Sequence, residues 1–270
     1  MTATGATEER STAITELPAA SGANGKAEQV RSMFSEIAPT YDLLNTVLSF
    51  GIDARWRAQA AREALPADVL AAAGEARAGS ERAVLDVATG TGNLALALKR
   101  RCAACRVIGV DFAEPMLARA REKAERDGVD AAFAVADGSA LPYDDGTFDA
   151  VTIAYGLRNF ADPDGGLREF RRVLKPGGRL VVLEFPPPPK GAFGALFRWY
   201  FTSFLPRLGG WVSGKRSAYA YLPASVLAFF PPADLAGRMH LAGFDDVRYR
   251  LQTFGVSALH VGVAGSGRVA

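Results

Sequence analysis

From residue 83 onward, short apolar runs alternate with longer segments in which apolar residues recur every three or four positions. The apolar runs predict β-strands over residues 83–88, 106–112, 131–137, 148–155 and 179–185. The periodic segments between them predict helices over residues 93–101, 114–128 and 163–178. Two later runs, 245–255 and 257–265, predict a hairpin that places an antiparallel strand at one edge. Strands and helices alternating at this spacing predict an α/β fold with a doubly wound, mostly parallel sheet.

The segment before this alternating region has a different pattern. Residues 27–65 have helical periodicity interrupted at Pro39 and Gly51, which predicts an N-terminal helical cap. Asp53 is suitably placed to cap the helix that follows Gly51. Residues 66–82 predict a loose connector between this cap and the first strand.

Composition limits the kind of protein. The chain has 270 residues, 49% of them hydrophobic, which is enough for one well-buried core. Its net charge of +2, from 31 basic and 29 acidic residues, lacks the basic excess typical of nucleic-acid-binding proteins. No apolar run is long enough for a membrane-spanning helix. Residues 1–26 are rich in Ala, Thr, Gly and Ser and lack the pattern of a secretory signal, so we expect a disordered tail before a single cytoplasmic domain over residues 27–270.

Cys102 and Cys105 form a C-x-x-C pair, a spacing that occurs in redox sites and in halves of zinc sites. A zinc site needs two more soft ligands, and His240 and His260 are distant along the chain. The sequence therefore favours two reduced thiols in a cytoplasmic protein and no metal site.

A glycine pair follows the first predicted strand and opens a helix. Gly90, Thr91 and Gly92 let the backbone approach a ligand closely, and the N–H groups of the helix face that ligand. Ala95 completes a G-x-G-x-x-A pattern, and Asp111 follows at the end of the second strand. This arrangement is shared by dehydrogenases and methyltransferases, and both remain open at this point.

The acidic residues near this loop favour one of the two classes. Asp86, inside the first strand, would repel the pyrophosphate of a dinucleotide but attract the sulfonium and ammonium groups of S-adenosylmethionine. Asp137 follows the third strand and could accept a hydrogen bond from an adenine amino group. Any one of these acids could instead be a solvated loop residue or a helix cap. Acids at successive strand ends together favour S-adenosylmethionine, because ligands of such sheets bind at those ends.

Several stretches outside the glycine loop resemble one known enzyme family. They are VRSMFSEIAPTYDLLNTVLSFGIDARWR (30–57), AYGLRNF (154–160), RVLKPGGRLVVLEF (172–185), YLPASVLAFFPP (221–232) and MHLAGFDDVRYRLQTFGVSALHVG (239–262). Over residues 28–262 the chain resembles the UbiE/MenG family, whose members C-methylate the ring of polyprenyl quinols in ubiquinone and menaquinone synthesis. The resemblance implies the class I S-adenosylmethionine-dependent methyltransferase fold, which is Rossmann-like.

The resemblance also implies particular cofactor contacts. They fall on Thr91, Asp111, Asp137 and Gly138. A further family contact falls on Ala154, where the family often has serine, so only a backbone contact remains there.

Methylation of an aromatic carbon requires a ring that is rich in electrons. A hydroquinone becomes a good nucleophile when an O–H beside the target carbon ionises, so the site must remove a proton and stabilise a phenolate. We assign Arg158, after the fourth strand, to phenolate stabilisation and water orientation, and Asn159 and Tyr41 to positioning. The alternative for Arg158 is a surface arginine that caps a loop or pairs with Asp162. We exclude both histidines from the catalytic set, because one lies in a late strand and the other near a helix end.

Residues 185–233 contain no acidic residue, two tryptophans and five basic residues, Lys190, Arg198, Arg207, Lys215 and Arg216. Such a composition is found at nucleic-acid sites, at membrane surfaces and in lids over apolar ligands. The apolar surroundings disfavour nucleic acid, so we expect residues 190–222 to form a lid that contacts the inner face of the cell membrane and admits a prenyl tail. An ordinary structural cap is the alternative.

The expected reaction is methylation of demethylmenaquinol to menaquinol, because no transit segment is seen and the chain looks bacterial. A benzoquinol of the ubiquinone pathway, another small apolar acceptor, and a non-catalytic cofactor-binding regulator are the alternatives. A homodimer also remains open.

Overall fold

The computed structural model describes residues 23–38, 41–75, 81–204 and 216–265. Its strands are β1 Ala83–Val87, β2 Arg106–Asp111, β3 Ala132–Val135, β4 Phe148–Ala154, β5 Leu174–Glu184, β6 Phe244–Gln252 and β7 Ser257–Ala264. Within the described ranges these seven strands form one sheet in the order β3–β2–β1–β4–β5–β7–β6. Strands β1 to β5 pair in parallel, and β7 runs antiparallel to both β5 and β6. The predicted fold class is confirmed.

Helices cover the sheet and its carboxyl edge. They are α1 Ala23–Ile37, α2 Tyr41–Leu48, α3 Asp53–Ala64, α4 Ala67–Glu75, α5 Asn93–Arg101, α6 Glu114–Arg126, α7 Pro163–Val173, α8 Ala192–Trp199, α9 Arg216–Leu227 and α10 Pro232–Leu241. Short 3-10 turns occupy Leu157–Asn159 and Thr253–Gly255, and a π-helical turn occupies Tyr200–Phe204. None of the helices in the described ranges has the length and hydropathy needed to cross a bilayer.

Apolar side chains form separate clusters on the two faces of the sheet. The cluster around Phe148 and Phe170 packs α7 and α10 on one face, and the cluster around Trp56 packs α3 and α5 on the other. A smaller cluster, which includes Ile37 and Met116, joins α1 to α6 and α9. The N-terminal helices are therefore held against the main domain by buried apolar surface, the dominant favourable contribution to folding.

The end of α7 differs from the prediction. The helix ends at Val173 instead of continuing to residue 178, and β5 begins at the next residue. Leu174 pairs with Phe148, and after a register shift Arg179 pairs with Ala150, so the intervening residues form an irregularity in β5. The prediction was wrong because Leu174 continues the apolar period of the helix, while its strand pairing depends on a distant segment.

The N-terminal region also differs from its prediction. Helix α4 occupies Ala67–Glu75, inside the predicted connector, and its alanines have high helix propensity. Helix α1 begins at Ala23, inside the predicted tail, whose residues 1–22 lie outside the described ranges. Asp53 is the first residue of α3 and not its N-cap, which is Ile52.

The two cysteines are bonded to each other, which corrects the expectation of free thiols. A turn between α5 and β2, with the N–H of Cys105 donating to the carbonyl of Cys102 at 3.1 Å, brings the side chains together. Their Cα atoms are 5.3 Å apart, which is within the range for a disulfide.

Candidate active site

The turn between β1 and α5 contains the glycine loop. Gly90 and Gly92 have φ angles of 55° and 79°, which glycine adopts without steric cost. A Cβ atom at Gly92 would lie 2.8 Å from the Cβ of Ala120, whereas one at Gly90 would meet nothing within 4 Å. Gly90 therefore borders an open cradle that a ligand can approach closely.

Two buried carboxylates flank this loop. Asp111, at the end of β2, accepts a hydrogen bond from the backbone N–H of Gly90 at 2.8 Å. Asp86, in β1, accepts hydrogen bonds from the hydroxyls of Thr89 and Thr152, each at 2.6 Å. Burial raises the pKa of both carboxyl groups, and that of Asp86 reaches about 6. Acidic groups held this close to the loop favour a cationic ligand over a pyrophosphate.

A larger cavity of about 470 Å³ opens beside the ends of β1, β2 and β4. Its lining includes the predicted cofactor residues Gly90, Asp111, Asp137, Gly138 and Ala154. Asp137 is exposed and accepts a hydrogen bond from the N–H of Ser139 at 2.8 Å. A Cβ atom at Gly138 would lie 2.6 Å from the ring of Phe160, so a side chain here would disturb the wall. The volume is within the range of roughly 300–1,000 Å³ that small-molecule sites occupy.

A smaller cavity of about 160 Å³ adjoins the larger one. Both cavities are lined by Phe34, Tyr41, Ala88, Gly90, Ala154 and Tyr155. The smaller cavity is also lined by the charged side chains of Asp53, Arg57, Asp86 and Arg158 and by the apolar side chains of Met33, Ile37, Trp56, Phe185, Phe197 and Leu222. A small apolar space with a few charged groups is suited to an acceptor that combines an apolar body with polar oxygens.

Arg158 lines this smaller cavity and forms a buried ion pair. Its Nη1 is 2.7 Å from Oε1 of Glu184, at the end of β5, and also donates to the carbonyl oxygen of Tyr155. Burial raises the pKa of Glu184, and the charge of Arg158 opposes that rise. The alternative of a surface arginine paired with Asp162 is wrong, because Asp162 caps α7 and pairs with Arg168 at 3.4 Å.

Tyr41 and Asn159 reach the same region from different elements. Tyr41, the first residue of α2, lines both cavities, and burial raises the pKa of its phenol. Asn159 lines the larger cavity, and its Oδ1 accepts a hydrogen bond from the hydroxyl of Tyr221 at 3.1 Å. The fold thus brings the three residues assigned to the catalytic set to the junction of the two cavities.

A network of hydrogen bonds ties α2 to the glycine loop. Asp42 accepts hydrogen bonds from the hydroxyl of Thr91 at 2.6 Å and from the amide of Asn93 at 2.9 Å. Lys123 on α6 pairs with the same carboxylate. Thr91, a predicted cofactor residue, is therefore held in place by the N-terminal cap.

The histidines lie outside both cavities. His260 is buried in β7, where its Nε2 is 2.9 Å from the carbonyl oxygen of Pro232 and burial lowers its pKa to about 4. His240 lies in the last turn of α10, and its Nδ1 is 3.0 Å from the carbonyl oxygen of Phe244.

Three residues of this site were missed by the sequence reasoning. No local pattern assigns Asp42, Asp53 or Glu184 to the site, and each meets its partner or cavity through the tertiary fold. One signal was available for Glu184, because an acid that ends an otherwise apolar strand needs a buried partner.

The residues present fit S-adenosylmethionine. Gly90 borders an open cradle, Asp111 lies at the end of β2, and buried carboxylates stand beside the loop. Together with a sheet whose order reverses at β1 and β4, these features define the class of S-adenosylmethionine-dependent methyltransferases.

Comparison with known proteins identifies the family. The model of the ubiE/COQ5 methyltransferase family matches residues 23–264, so the chain belongs to this family and is an S-adenosylmethionine-dependent methyltransferase. A demethylmenaquinone methyltransferase of Thermus thermophilus is 58% identical over 230 residues, which cover 85% of this chain and 99% of that protein. The ubiquinone/menaquinone biosynthesis C-methyltransferase UbiE of Geobacter sulfurreducens is 43% identical over 243 residues, which cover 89% of this chain and 90% of that protein.

Solved structures support the fold. A methyltransferase of Thermotoga maritima, described as a possible histamine N-methyltransferase, has a TM-score of 0.56 at 19% identity and covers 86% of this chain and 98% of its own. The [4+2]-cyclase SpnF has a TM-score of 0.57 at 20% identity and covers 89% of this chain and 97% of its own. At these identities the likeness concerns the fold alone.

Proposed function

We propose that the protein methylates a ring carbon of a polyprenyl quinol, converting demethylmenaquinol to menaquinol. The observation that carries the proposal is the junction of the two cavities, where a cofactor cradle meets a mostly apolar pocket beside the buried guanidinium of Arg158. The names of similar proteins support the same substrate class. One of them, the demethylmenaquinone methyltransferase of Thermus thermophilus, is 58% identical to this chain.

S-adenosylmethionine, when bound, supplies an electrophilic methyl group attached to a positively charged sulfur. In the proposed site Asp111 holds ribose hydroxyls, Asp137 orients the adenine, and Asp86 contributes negative charge next to the loop. Arg158 stabilises the phenolate that forms on the acceptor ring, because its guanidinium is positively charged and buried. Glu184 fixes the position of Arg158 through their ion pair.

The cofactor roles are tested by calorimetry with S-adenosylhomocysteine. We expect Asp111→Ala to weaken binding by roughly 1.5–3 kcal/mol, the usual contribution of hydrogen bonds to a charged group. NADH is the comparison ligand, and tight NADH binding with no binding of S-adenosylhomocysteine would contradict the cofactor assignment.

The acceptor is tested by mass spectrometry of quinones from cells that lack the protein. Accumulation of a naphthoquinone one methyl group short of menaquinone is the expected result. Accumulation of a benzoquinol intermediate would instead indicate the ubiquinone pathway. The name of the Geobacter sulfurreducens relative mentions both ubiquinone and menaquinone. Normal quinones in those cells, with cofactor binding by the purified protein, would favour a non-catalytic regulator.

Peripheral contact with an anionic membrane is also part of the proposal. In the expected lid, Lys190, Arg198 and Trp199 are exposed, Trp199 by 58%. Phe50 is 82% exposed and directly follows Ser49, which lines the smaller cavity. Phe254 is 84% exposed and precedes Val256, another lining residue, by two positions. Arg207 and Lys215 lie outside the described residues. Basic residues and exposed aromatic residues that are close in sequence to the cavity lining are suited to a lipid surface.

Vesicle sedimentation tests this contact. Each cation contributes about 1 kcal/mol near an anionic leaflet, so Lys190→Gln with Arg198→Gln should lower the partition coefficient about 30-fold at low salt. Salt should weaken binding of the unchanged protein. The control is Arg126→Gln at the exposed end of α6. If the control loses as much binding, or if low-salt binding to anionic vesicles is absent, the lid is an ordinary structural cap.

A further inference from the structure

Asp53 is a buried carboxylate that faces the smaller cavity. It begins α3, and its Oδ2 is 2.6 Å from Nη1 of Arg57 one turn later. Its Oδ1 accepts a hydrogen bond from the N–H of Ala54 at 2.9 Å. A carboxylate oxygen has two lone pairs, so each oxygen retains capacity to accept a further hydrogen bond.

Few other groups around this cavity could accept a proton. The guanidinium groups of Arg57 and Arg158 stay protonated, and burial raises the pKa of the phenols of Tyr41 and Tyr155. No histidine is among the described residues that line either cavity.

Among those residues, the carboxylates that line the smaller cavity are Asp53 and Asp86. Both oxygens of Asp86 already accept threonine hydroxyls, and the N–H of Ala95 is a third donor. Asp53, with two donors instead of three, is therefore the carboxylate with more capacity left for a substrate proton.

We propose that Asp53 is the general base that removes the O–H proton of the acceptor ring, an inference that rests on the proposed quinol methylation. The quinol O–H bond breaks, its proton bonds to Asp53, and the electron pair stays on the ring. The ring carbon then bonds to the methyl group, and the electron pair of the broken S–C bond remains on sulfur. The hydrogen on that carbon leaves to water as a proton, its electron pair restores the aromatic ring, and Asp53 returns its proton to the ring oxygen. The net result is one methyl group transferred and one proton released.

The two arginines near Asp53 have different roles in this step. The ordinary pKa of a phenol is about six units above that of an aspartate, so the proton leaves the ring only where the phenolate is stabilised. Arg158 supplies that stabilisation in the same cavity, and aspartate bases act on protons of much higher pKa when such a partner is present. Arg57 fixes the orientation of the Asp53 carboxylate and is a positioning residue.

The test compares Asp53→Asn, which keeps the shape and removes the base, with the unchanged protein under anaerobic conditions and saturating demethylmenaquinol. We expect kcat at pH 7 to fall about 100- to 10,000-fold, the usual contribution of a general base. Raising the pH should restore kcat about tenfold per unit between pH 7 and 9, because a growing fraction of the bound quinol is then ionised without the base. Formate should restore activity to Asp53→Ala, and sodium chloride at the same ionic strength should not. Asp53→Glu should retain more activity than either variant.

Two controls separate a chemical role from a structural one. Asp68→Asn changes an exposed acid in the first turn of the neighbouring helix α4 and should leave kcat unchanged. Every variant should bind S-adenosylhomocysteine as the unchanged protein does. An Asp53→Asn variant with normal kcat would overturn the inference, and so would a loss of kcat that neither pH nor formate restores. If the unchanged protein methylates no quinol, the proposed function fails and the inference fails with it.

Discussion

Asp86 should make the protein less stable as the pH rises, and Asp86→Asn should remove this dependence. The carboxyl group is 1% exposed, and burial raises its pKa to about 6 from an ordinary value of 3.8. The folded protein therefore binds this proton more tightly than the unfolded chain does. The stabilisation is complete below the unfolded pKa and is lost as the pH rises to the folded pKa, a total of about 3 kcal/mol.

Urea denaturation of the unchanged protein and of Asp86→Asn, both without cofactor, measures this effect. About 2 kcal/mol of the total falls between pH 4.5 and 7.5, so the unchanged protein should lose that amount relative to the variant over this range. The difference between the two proteins isolates Asp86, because all other titrating groups are common to both. The reasoning is refuted if the difference in unfolding free energy between the two proteins stays constant within about 0.5 kcal/mol over this pH range. That result would mean that the hydroxyls of Thr89 and Thr152 solvate the carboxylate as well as water does.

Two further substitutions test the walls of the site. Gly138→Ala should destabilise the protein by about 1–3 kcal/mol and weaken binding of S-adenosylhomocysteine, because the new methyl group would meet the ring of Phe160. Gly237→Ala is its control, because no atom lies within 4 Å of the added Cβ and alanine favours the helix. Equal urea midpoints for the two variants would contradict the packing argument. Glu184→Gln should destabilise the protein by about 3–5 kcal/mol and lower kcat, because Arg158 loses its buried counter-charge. Unchanged stability and turnover would mean that the pair is dispensable.

The parallel part of the sheet could be predicted from the sequence because its strands contain short apolar runs bounded by polar turns. The limits of β1 and the start of α5 depend on local signals, the glycine pair above all. The start of β5 does not, because Leu174 satisfies the period of α7 and is assigned to the strand by its pairing with Phe148. For these elements, local periodicity predicts that a strand or helix exists, and tertiary pairing decides where one passes into the next.

The residues of the candidate site could likewise be predicted only where a local signal marks them. Asp111 could be found because it stands at a strand end, at the expected spacing from Gly90. Glu184 could not be paired with Arg158, and Asp53 could not be placed in a cavity, because those relations join segments far apart in the chain. Asp42 was missed for the same reason, since its partners lie in the glycine loop, in α5 and in α6 and not in its own helix.

Because the two cavities share walls, we expect the binding of one ligand to depend on the other. Phe34 and Tyr41 belong to both linings, and the neighbour of Tyr41, Asp42, is bonded to the glycine loop. Any shift of these helices that improves the fit of one ligand also alters the wall met by the second. Thermodynamic linkage makes this reciprocal, so the factor by which the cofactor changes quinol affinity equals the factor by which the quinol changes cofactor affinity. Quinol affinities that are equal with and without S-adenosylhomocysteine would show that the two sites, although contiguous, are energetically independent.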